Sequence, residues 1–329
     1  MLEKQEEEVF PRPRPDMARL GRRETAGELV GGTDRRPKGS CAMSQSKSVH
    51  ADAAGTIDVG GDLTANRFGF GAMRITGDGI WGEPASTDEA KAVLRRAIEL
   101  GVNFIDTADS YGPHVSEELI CAALYPYPED LIIATKGGLE RPGPGQWPTN
   151  GRPEHLVEAC EGSLRRLRLE QIPLYQFHRP DPAVPLEDSL GALITLKEQG
   201  KIRHLGLSNV TEDQVRRAQQ LTPIVSIQNQ YSVDYRESEP LVDLCEQEQL
   251  VFLPWAPIRS VDGEGPLGEI ARRHGVTPRQ IALAWLLARS PSILPIPGTG
   301  SVSHLEDNLA AVAVPLTPDE VAVLTDQSR

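Results

Sequence analysis

The fold is decided by three short stretches of the chain: FIDTADSYG (104–112), LIIATK (131–136) and LYQFH (174–178). Each begins with an apolar run of strand type and reaches side chains that can exchange a proton. In a parallel barrel the carboxyl ends of the strands meet at one face, where active sites form. The sequence therefore predicts that four side chains meet at this face: Asp106, Tyr111, Lys136 and His178.

The rest of the chain repeats the alternation of strand-like and helix-like stretches. Residues 56–66 predict a β-hairpin with its turn at Gly60-Gly61. Eight apolar runs follow, most of them separated by amphipathic stretches, which predicts an α/β fold of the (β/α)8 TIM barrel type over residues 56–329. A doubly wound sheet is the alternative. It usually has a GxGxxG loop after its first strand, and the glycine spacing around residues 69–79 does not match.

Residues 1–50 differ from the remainder in composition. They carry ten Lys or Arg and eight Asp or Glu, so their formal charge is +2 and that of the remainder is −15, within a total of −13. They have no sustained apolar periodicity and cannot bury enough surface to offset the entropy of ordering, which predicts a disordered tail. Met43 precedes a more ordinary leader and is an alternative start of translation.

Composition restricts the functional class. The acidic body argues against a nucleic-acid partner. No apolar run approaches the roughly 20 residues that span a bilayer, and no secretory signal is visible, so we expect a cytoplasmic protein without a membrane partner. The four cysteines are scattered and form no close pair, which predicts reduced thiols and no metal site.

The four strand-end side chains have complementary chemistry. A tyrosine pKa lies near ~10, and a buried ammonium beside the phenol would lower it. Asp106 would keep Lys136 charged, and His178 would orient a carbonyl oxygen by a hydrogen bond. Each residue alone has an ordinary explanation, such as a cap, a surface lysine, a packing ring or a core histidine. Together they predict protonation of a carbonyl oxygen, with the hydride supplied by a cofactor.

Seven segments resemble, in the same order, the signature segments of the aldo-keto reductase superfamily. The resemblance extends from about Arg67 to the C-terminus, and the segments are FGFGAM, FIDTADSYG, IIATK, LYQFHRPDP, IRHLGLSNV, SIQNQYS and IPGTGSVSHLEDNL. It implies a (β/α)8 barrel that binds an extended nicotinamide cofactor. It also implies that Tyr111 is the general acid, that Lys136 and Asp106 tune it, and that His178 orients the carbonyl.

The resemblance further implies the cofactor contacts. Ser208, Asn209 and Gln228 correspond to side chains that bind the nicotinamide carboxamide, and Trp255 replaces an aromatic ring that stacks on the nicotinamide. The adenosine 2′-phosphate end would be received by five residues: Gly298, Thr299, His304, Asp307 and Asn308.

The cofactor segment departs from the best-known family pattern at two positions. Many members have Lys where this chain has Gly298, and Arg where it has His304. Loss of two cations weakens a strict preference for the 2′-phosphate. The resemblance still favours NADP(H), with NAD(H) as the alternative.

The substrate pocket is predicted from the loops. Only residues 314–329 follow the helix after the eighth strand, too few for the large C-terminal loop of some relatives. We therefore expect an open pocket shaped by Trp81, Trp147 and loop 179–185. The pocket loops contain no paired cations, which disfavours a multiply charged substrate.

The leading interpretation is an NADP-dependent aldo-keto reductase that transfers hydride to a small aldehyde or ketone. A cofactor-binding regulatory sensor with little turnover is the first alternative. A Schiff-base aldolase that uses Lys136 is the second. Many relatives are monomers, so a monomer or weak oligomer is expected.

Overall fold

The computed structural model of the protein describes residues 49–259, 261 and 263–326. The predicted disordered tail and the alternative start at Met43 lie outside the described residues, except for the last two residues of the tail. These two lead into a short 3₁₀ helix, Ala51–Ala54, whose first N–H donates to the carbonyl of Leu100 at 2.9 Å. The described chain is therefore tied to the first helix of the barrel from its beginning.

A two-stranded antiparallel sheet precedes the barrel. It consists of β1 (Thr56–Val59) and β2 (Leu63–Asn66), with Val59 opposite Leu63. Gly60 and Gly61 in the turn have φ angles of 70° and 84°. Such angles are unfavourable for residues with a Cβ, which explains the glycine pair.

The central sheet has seven parallel strands. They are β3 (Phe70–Gly71), β4 (Phe104–Asp106), β5 (Ile132–Gly137), β6 (Ile172–Phe177), β7 (Ile202–Ser208), β8 (Ile224–Gln228) and β9 (Val251–Phe252). Every strand pairs with the next one along the chain. The sheet therefore curls in a single direction as an α/β barrel does, and the doubly wound alternative, in which the strand order reverses, is wrong.

The eighth predicted strand, residues 292–297, is not a regular strand. It lies between the two edges of the sheet, bonded on one side to Phe252. On the other side, N–H groups at β3 and just before it donate to the carbonyls of Pro295 and Pro297 at 2.9 and 3.3 Å. These two prolines have no N–H to donate. The prediction of eight regular strands is therefore wrong for this segment. It exchanges hydrogen bonds with Phe252 on one side and only accepts them from the β3 side.

The helices of the described chain surround the sheet. They are α1 (Thr87–Glu99), α2 (Val115–Leu124), α3 (Pro153–Leu167), α4 (Leu186–Glu198), α5 (Glu212–Gln219), α6 (Glu239–Glu248), α7 (Gly265–His274), α8 (Pro278–Arg289), α9 (Val302–Leu309) and α10 (Pro318–Asp326). Within the described ranges, no helix has both the length and the apolar character that a bilayer span requires.

Helix starts follow the capping signals of the sequence. The Ser86 hydroxyl accepts the N–H of Glu89 at 3.1 Å, so Ser86 is the N-cap of α1. The Thr317 hydroxyl accepts the N–H of Glu320 at 3.3 Å, and the Glu320 carboxylate accepts the N–H of Thr317 at 3.0 Å. This reciprocal pair is a capping box, and Thr317 is therefore the N-cap of α10.

The barrel interior is apolar at one end and polar at the other. Phe104, Ile132 and Leu174, at the amino ends of three strands, pack with Val59 and Ala65 of the antiparallel sheet. Because side chains alternate along a strand, the residues two and four positions later point into the same interior. The antiparallel sheet thus closes the apolar end, and the polar side chains collect at the opposite end.

The start of β3 is fastened to α8 by a guanidinium. Arg67 Nη2 donates to the carbonyls of Leu287 and Ser290 at 3.0 and 2.8 Å, and Arg67 Nε approaches the carbonyl of Ile293 at 3.4 Å. We expect Arg67→Met to lower the free energy of unfolding by about 2–4 kcal/mol, because several carbonyls lose a charged donor. Denaturant unfolding, followed by fluorescence and circular dichroism, measures this change.

Arg203→Met is the matched control, because the Arg203–Asp62 pair is solvent-exposed with a separation of 2.7 Å. Its cost should stay below about 1 kcal/mol. Equal losses in both variants would contradict the fastening role of Arg67.

Candidate active site

Lys136 is the centre of the polar end of the barrel. Its side chain is fully buried. The Nζ atom donates to Asp106 Oδ2 at 2.7 Å, to the carbonyl of Thr107 at 2.8 Å and to the Tyr111 hydroxyl at 3.3 Å. Burial alone would lower the pKa of Lys136, but the Asp106 carboxylate and the Tyr111 hydroxyl together raise it above the ordinary lysine value. Lys136 is therefore a charged ammonium whose three donors are all used.

The Asp106 carboxylate is held by two amides as well as by the lysine. Its Oδ1 accepts from Gln228 Nε2 at 2.8 Å and from Gln176 Nε2 at 3.2 Å. Gln228 Nε2 also approaches Gln176 Oε1 at 3.4 Å. Gln228 is predicted to bind the cofactor amide. Its Nε2 atom is engaged by Asp106 and Gln176, so its carbonyl oxygen is the atom that can accept a hydrogen bond from a ligand.

The Tyr111 phenol lies beside the ammonium, and its residue is 7% exposed. Burial raises the pKa of Tyr111, while the Lys136 charge acts in the opposite direction without outweighing it. The expectation of a lowered tyrosine pKa is therefore wrong for the described structure. The reason is that the site removes the phenol from water as well as placing it near a cation.

His178 follows β6 and faces the tyrosine. The two ring centres are 5.9 Å apart at an interplanar angle of 83°. Burial, with the Lys136 charge as a second cause, holds the pKa of His178 well below its ordinary value, so the imidazole is neutral. The Ser110 hydroxyl is 3.5 Å from Nδ1. If that hydroxyl donates, the imidazole hydrogen is on Nε2 and is available to a ligand.

The predicted amide-binding side chains form a chain of hydrogen bonds beside the histidine. Asn209 Nδ2 donates to the carbonyl of His178 and to Ser208 Oγ, both at 3.0 Å, and Asn209 Oδ1 accepts from Trp255 Nε1 at 3.2 Å. Asn209 has a φ of 57°, in the left-handed region that Asn tolerates better than most residues. The structure therefore brings Ser208, Asn209 and Trp255 together next to His178.

The five residues predicted to receive the 2′-phosphate end of the cofactor fall into two groups, one in a cavity and one beside β3. His304, Asp307 and Asn308 line a cavity of about 350 Å³ between α8 and α9. Arg279, near the start of α8, lines the same cavity and supplies a cation that the sequence reasoning missed. Gly298 and Thr299 are not among the lining residues.

Packing explains why position 298 is a glycine. A Cβ at Gly298 would lie 2.4 Å from the carbonyl oxygen of Gly71, a backbone atom that cannot move aside. The lysine of other members is thus sterically excluded from this backbone arrangement. Thr299 uses its hydroxyl to accept the N–H of Ser301 at 3.1 Å, just before α9.

The predicted substrate residues flank an apolar wall. Trp147 meets the Tyr111 ring edge-on, with ring centres 6.5 Å apart. Ile80 and Met73 complete this wall. Trp81 follows Ile80, and its backbone bridges to the loop that carries Tyr111.

A second buried charged cluster lies on the opposite face of β5. Arg166 Nε donates to Glu117 Oε2 at 2.6 Å, and Thr135 Oγ1 donates to Glu117 Oε1 at 2.5 Å. Asp109 is also buried, and its Oδ1 has no hydrogen-bond partner among the described residues. Burial, with the Glu117 charge as a second cause, raises the pKa of Asp109 to about 8. Asp109 is therefore mostly a neutral acid below that pH.

Comparisons with known proteins show the family of the chain. The sequence model of the Aldo/keto reductase family matches residues 67–328. An uncharacterized oxidoreductase of Schizosaccharomyces pombe is 47% identical over 287 residues, which cover 86% of this chain and 93% of that protein. This chain belongs to the aldo/keto reductase family.

Two further relatives support the assignment to this family of oxidoreductases. Pyridoxine 4-dehydrogenase of Escherichia coli is 39% identical over 278 residues, covering 82% of this chain and 97% of that enzyme. An aldo-keto reductase from Klebsiella pneumoniae, solved in complex with NADPH, has a TM-score of 0.69 and 27% identity, covering 82% of this chain and 93% of that one.

Sequence reasoning missed several residues of this aldo/keto reductase site. Gln176 had a visible signal, because it lies between Leu174 and His178 at positions that share one face of the strand. Ser110 and Arg279 had none, because their neighbours in the site come from segments that are distant in the chain. Among the described residues, no three His, Cys, Asp or Glu side chains lie close enough together to hold a metal ion.

The raised pKa of Asp109 should make the free energy of unfolding depend on pH. The folded protein binds a proton there that the unfolded chain releases above about pH 4, so the free energy of unfolding should fall as pH rises from about 4 to 8. Asp109→Asn keeps the shape of the neutral acid and should remove this contribution. We expect the variant to gain more than about 1 kcal/mol over wild type between pH 5 and pH 8.5 in denaturant unfolding.

Asp58→Asn, at an exposed position of β1, is the control and should give a curve parallel to that of wild type. A constant difference between Asp109→Asn and wild type across the pH range would show that Asp109 is ionised in the folded protein.

Proposed function

We propose that this protein is an NADP(H)-dependent reductase of small aldehydes or ketones, with Tyr111 as the proton donor. The observation that carries the proposal is the position of Lys136 Nζ, which contacts both Asp106 Oδ2 and the Tyr111 hydroxyl. A buried carboxylate, ammonium and phenol in one hydrogen-bonded line can transfer a proton to an oxygen at the mouth of the barrel. The relative solved with NADPH supports the choice of cofactor.

The residues act on the carbonyl in complementary ways. The neutral His178 imidazole donates a hydrogen bond that orients the carbonyl oxygen, and the Tyr111 hydroxyl gives its proton to that oxygen as the carbonyl is reduced. NADPH, when bound, supplies the hydride. The Lys136 ammonium, 3.3 Å from the phenol oxygen, stabilises the phenolate that remains. Because burial raises the pKa of Tyr111, the donor is protonated at neutral pH before the reaction.

The described residues fit the proposed cofactor at both of its ends. Ser208, Asn209 and Trp255 would hold the nicotinamide next to His178, using a hydroxyl, an amide and an aromatic face. Arg279 and His304 would meet the 2′-phosphate in the cavity between α8 and α9. These two residues compensate for the cation that packing excludes at Gly298.

The aldolase alternative is disfavoured by the state of the lysine. A Schiff base needs a neutral amine, and the pairing with Asp106 raises the pKa of Lys136 and uses its donors. The sensor alternative makes no chemical demand on the tyrosine. A single substitution at Tyr111 therefore separates it from the reductase proposal.

We expect Tyr111→Phe to keep NADPH binding and to lower kcat for aldehyde reduction by about 10²-fold or more, the scale of lost general acid catalysis. Absorbance at 340 nm with an aldehyde panel measures turnover, and quenching of protein fluorescence measures NADPH binding. Tyr127→Phe is the control, because this hydroxyl donates to the carbonyl of Leu167 away from the site. Its kcat should stay within about twofold of wild type. Tight NADPH binding without turnover in wild type would favour the sensor.

Arg279 should set the cofactor preference. We expect Arg279→Gln to lower the ratio of kcat/KM for NADPH over NADH by about 5- to 20-fold, because a charged donor to the 2′-phosphate is lost. Arg272→Gln, an exposed arginine on the last turn of α7, should leave the ratio unchanged. An unchanged ratio in Arg279→Gln would remove this arginine from the phosphate site.

A further inference from the structure

Arg141 lies in the loop between β5 and α3 and is held against the tyrosine side of the site. Its Nη1 donates to the carbonyl of Ser110, the residue before Tyr111, at 3.0 Å. Its Cζ lies 3.4 Å from the centre of the Trp147 ring and 5.4 Å from that of Trp81. Two aromatic faces and one hydrogen bond therefore fix the orientation of the guanidinium.

One edge of this guanidinium has no partner. The Nε and Nη2 atoms have no hydrogen-bond acceptor among the described residues, and each exposes less than 1 Å². These two atoms form the edge from which two parallel N–H groups project. Burial lowers the pKa of Arg141 to about 10. A buried charged edge without an acceptor is costly, so this edge is suited to a ligand.

The nearest acid in the sequence is already engaged. Glu140 Oε1 accepts from Asn150 Nδ2 and lies 3.9 Å from Arg152 Nη2. Within the described residues no carboxylate forms an ion pair with Arg141. Acidic residues outnumber basic ones in this protein, whose net charge is −13, and yet this arginine in the wall of the site has no carboxylate partner among the described residues.

We propose that Arg141 binds an anionic group of the substrate, a carboxylate or a phosphate monoester. Either group can accept both N–H bonds of the unpaired edge at once. Trp147 contacts both Tyr111 and Arg141, so the substrate would extend along its ring, with the carbonyl at Tyr111 and the anion at the guanidinium. This inference rests on the proposed reductase function and narrows its substrate to small anionic carbonyl compounds.

The substrate reaches this edge by displacing the side chains that cover it. The loop that carries Arg141 has an exposed tip at Pro144–Gln146. Its ends are held by two backbone bonds, from Asn150 to Gly138 at 3.0 Å and from Glu140 to Pro148 at 2.9 Å. A small shift within the loop would open the edge while these bonds remain.

The test compares pairs of aldehydes in which one member carries an anionic group and the other a neutral group at the same position, with NADPH as reductant. The pairs are 4-carboxybenzaldehyde with 4-methylbenzaldehyde, succinic semialdehyde with butanal, and glyceraldehyde 3-phosphate with glyceraldehyde. The third pair distinguishes a phosphate from a carboxylate. We expect wild type to favour the anionic member in kcat/KM by about 10- to 100-fold in at least one pair, the value of a charged bidentate contact.

Two substitutions at Arg141 distinguish the contribution of its paired N–H donors from that of its positive charge. Arg141→Met keeps an unbranched side chain against Trp147, and it should remove the anionic preference. Arg141→Lys keeps the charge without the paired donors and should retain only part of the preference. Arg152→Met is the control, because this arginine is exposed on the same loop. The preference of this variant for anionic over neutral aldehydes should match that of wild type. The readout is a ratio within each variant, so a general loss of activity does not affect it.

The outcomes distinguish this inference from the proposed function. Two results would overturn the anion site and leave the reductase proposal standing. One is that wild type reduces neutral and anionic aldehydes with equal kcat/KM. The other is that Arg141→Met keeps the preference for the anionic member. If wild type reduces no aldehyde of the panel, both proposals fail together.

Discussion

The buried ion pair between Lys136 and Asp106 is the constraint on which the site depends. Removing two charges from water costs several kcal/mol for each ion, and their attraction offsets this only when every remaining donor and acceptor is satisfied. Here the surroundings meet that condition: Gln176 and Gln228 donate to the carboxylate, and the third lysine donor points to Tyr111. The tyrosine thus completes the hydrogen bonding of the lysine, and the proposed proton transfer depends on the same contacts as stability.

The opposite face of β5 carries the same kind of constraint. Thr135, which precedes Lys136, points away from the barrel interior because side chains alternate along a strand. It donates to Glu117 on α2, which pairs with Arg166 on α3. The two helices are therefore fixed to the strand that holds the lysine. Since the loop from β4 to α2 includes Tyr111, this second cluster positions the phenol from behind.

The parts of the structure that could be predicted from sequence are those set by local rules. The strand ends of the site and the Thr317 cap follow from alternation and capping. The parallel sheet that curls in one direction follows from the order of the elements, whereas the irregular backbone of its eighth segment does not. Arg141 and Arg279 were beyond such rules, since a guanidinium on a loop or a helix end reveals its partners only when distant segments meet. The raised pKa of Tyr111 was missed for another reason, because the lysine is visible in the sequence whereas the degree of burial is not.

Packing at Gly298 links closure of the barrel to the proposed recognition of the cofactor phosphate. Gly298 follows the irregular segment that bridges β9 and β3, and its Cα approaches Gly71 so closely that no side chain fits. A lysine there would have to push the segment away from β3, weakening the bonds that join the sheet edges. In this chain Arg279 of α8 and His304 of α9 line the same cavity, and we propose that they supply the cations for the phosphate. If Arg279 binds the phosphate as we propose, cofactor preference is separated from barrel closure, and a substitution of this arginine should leave the sheet intact.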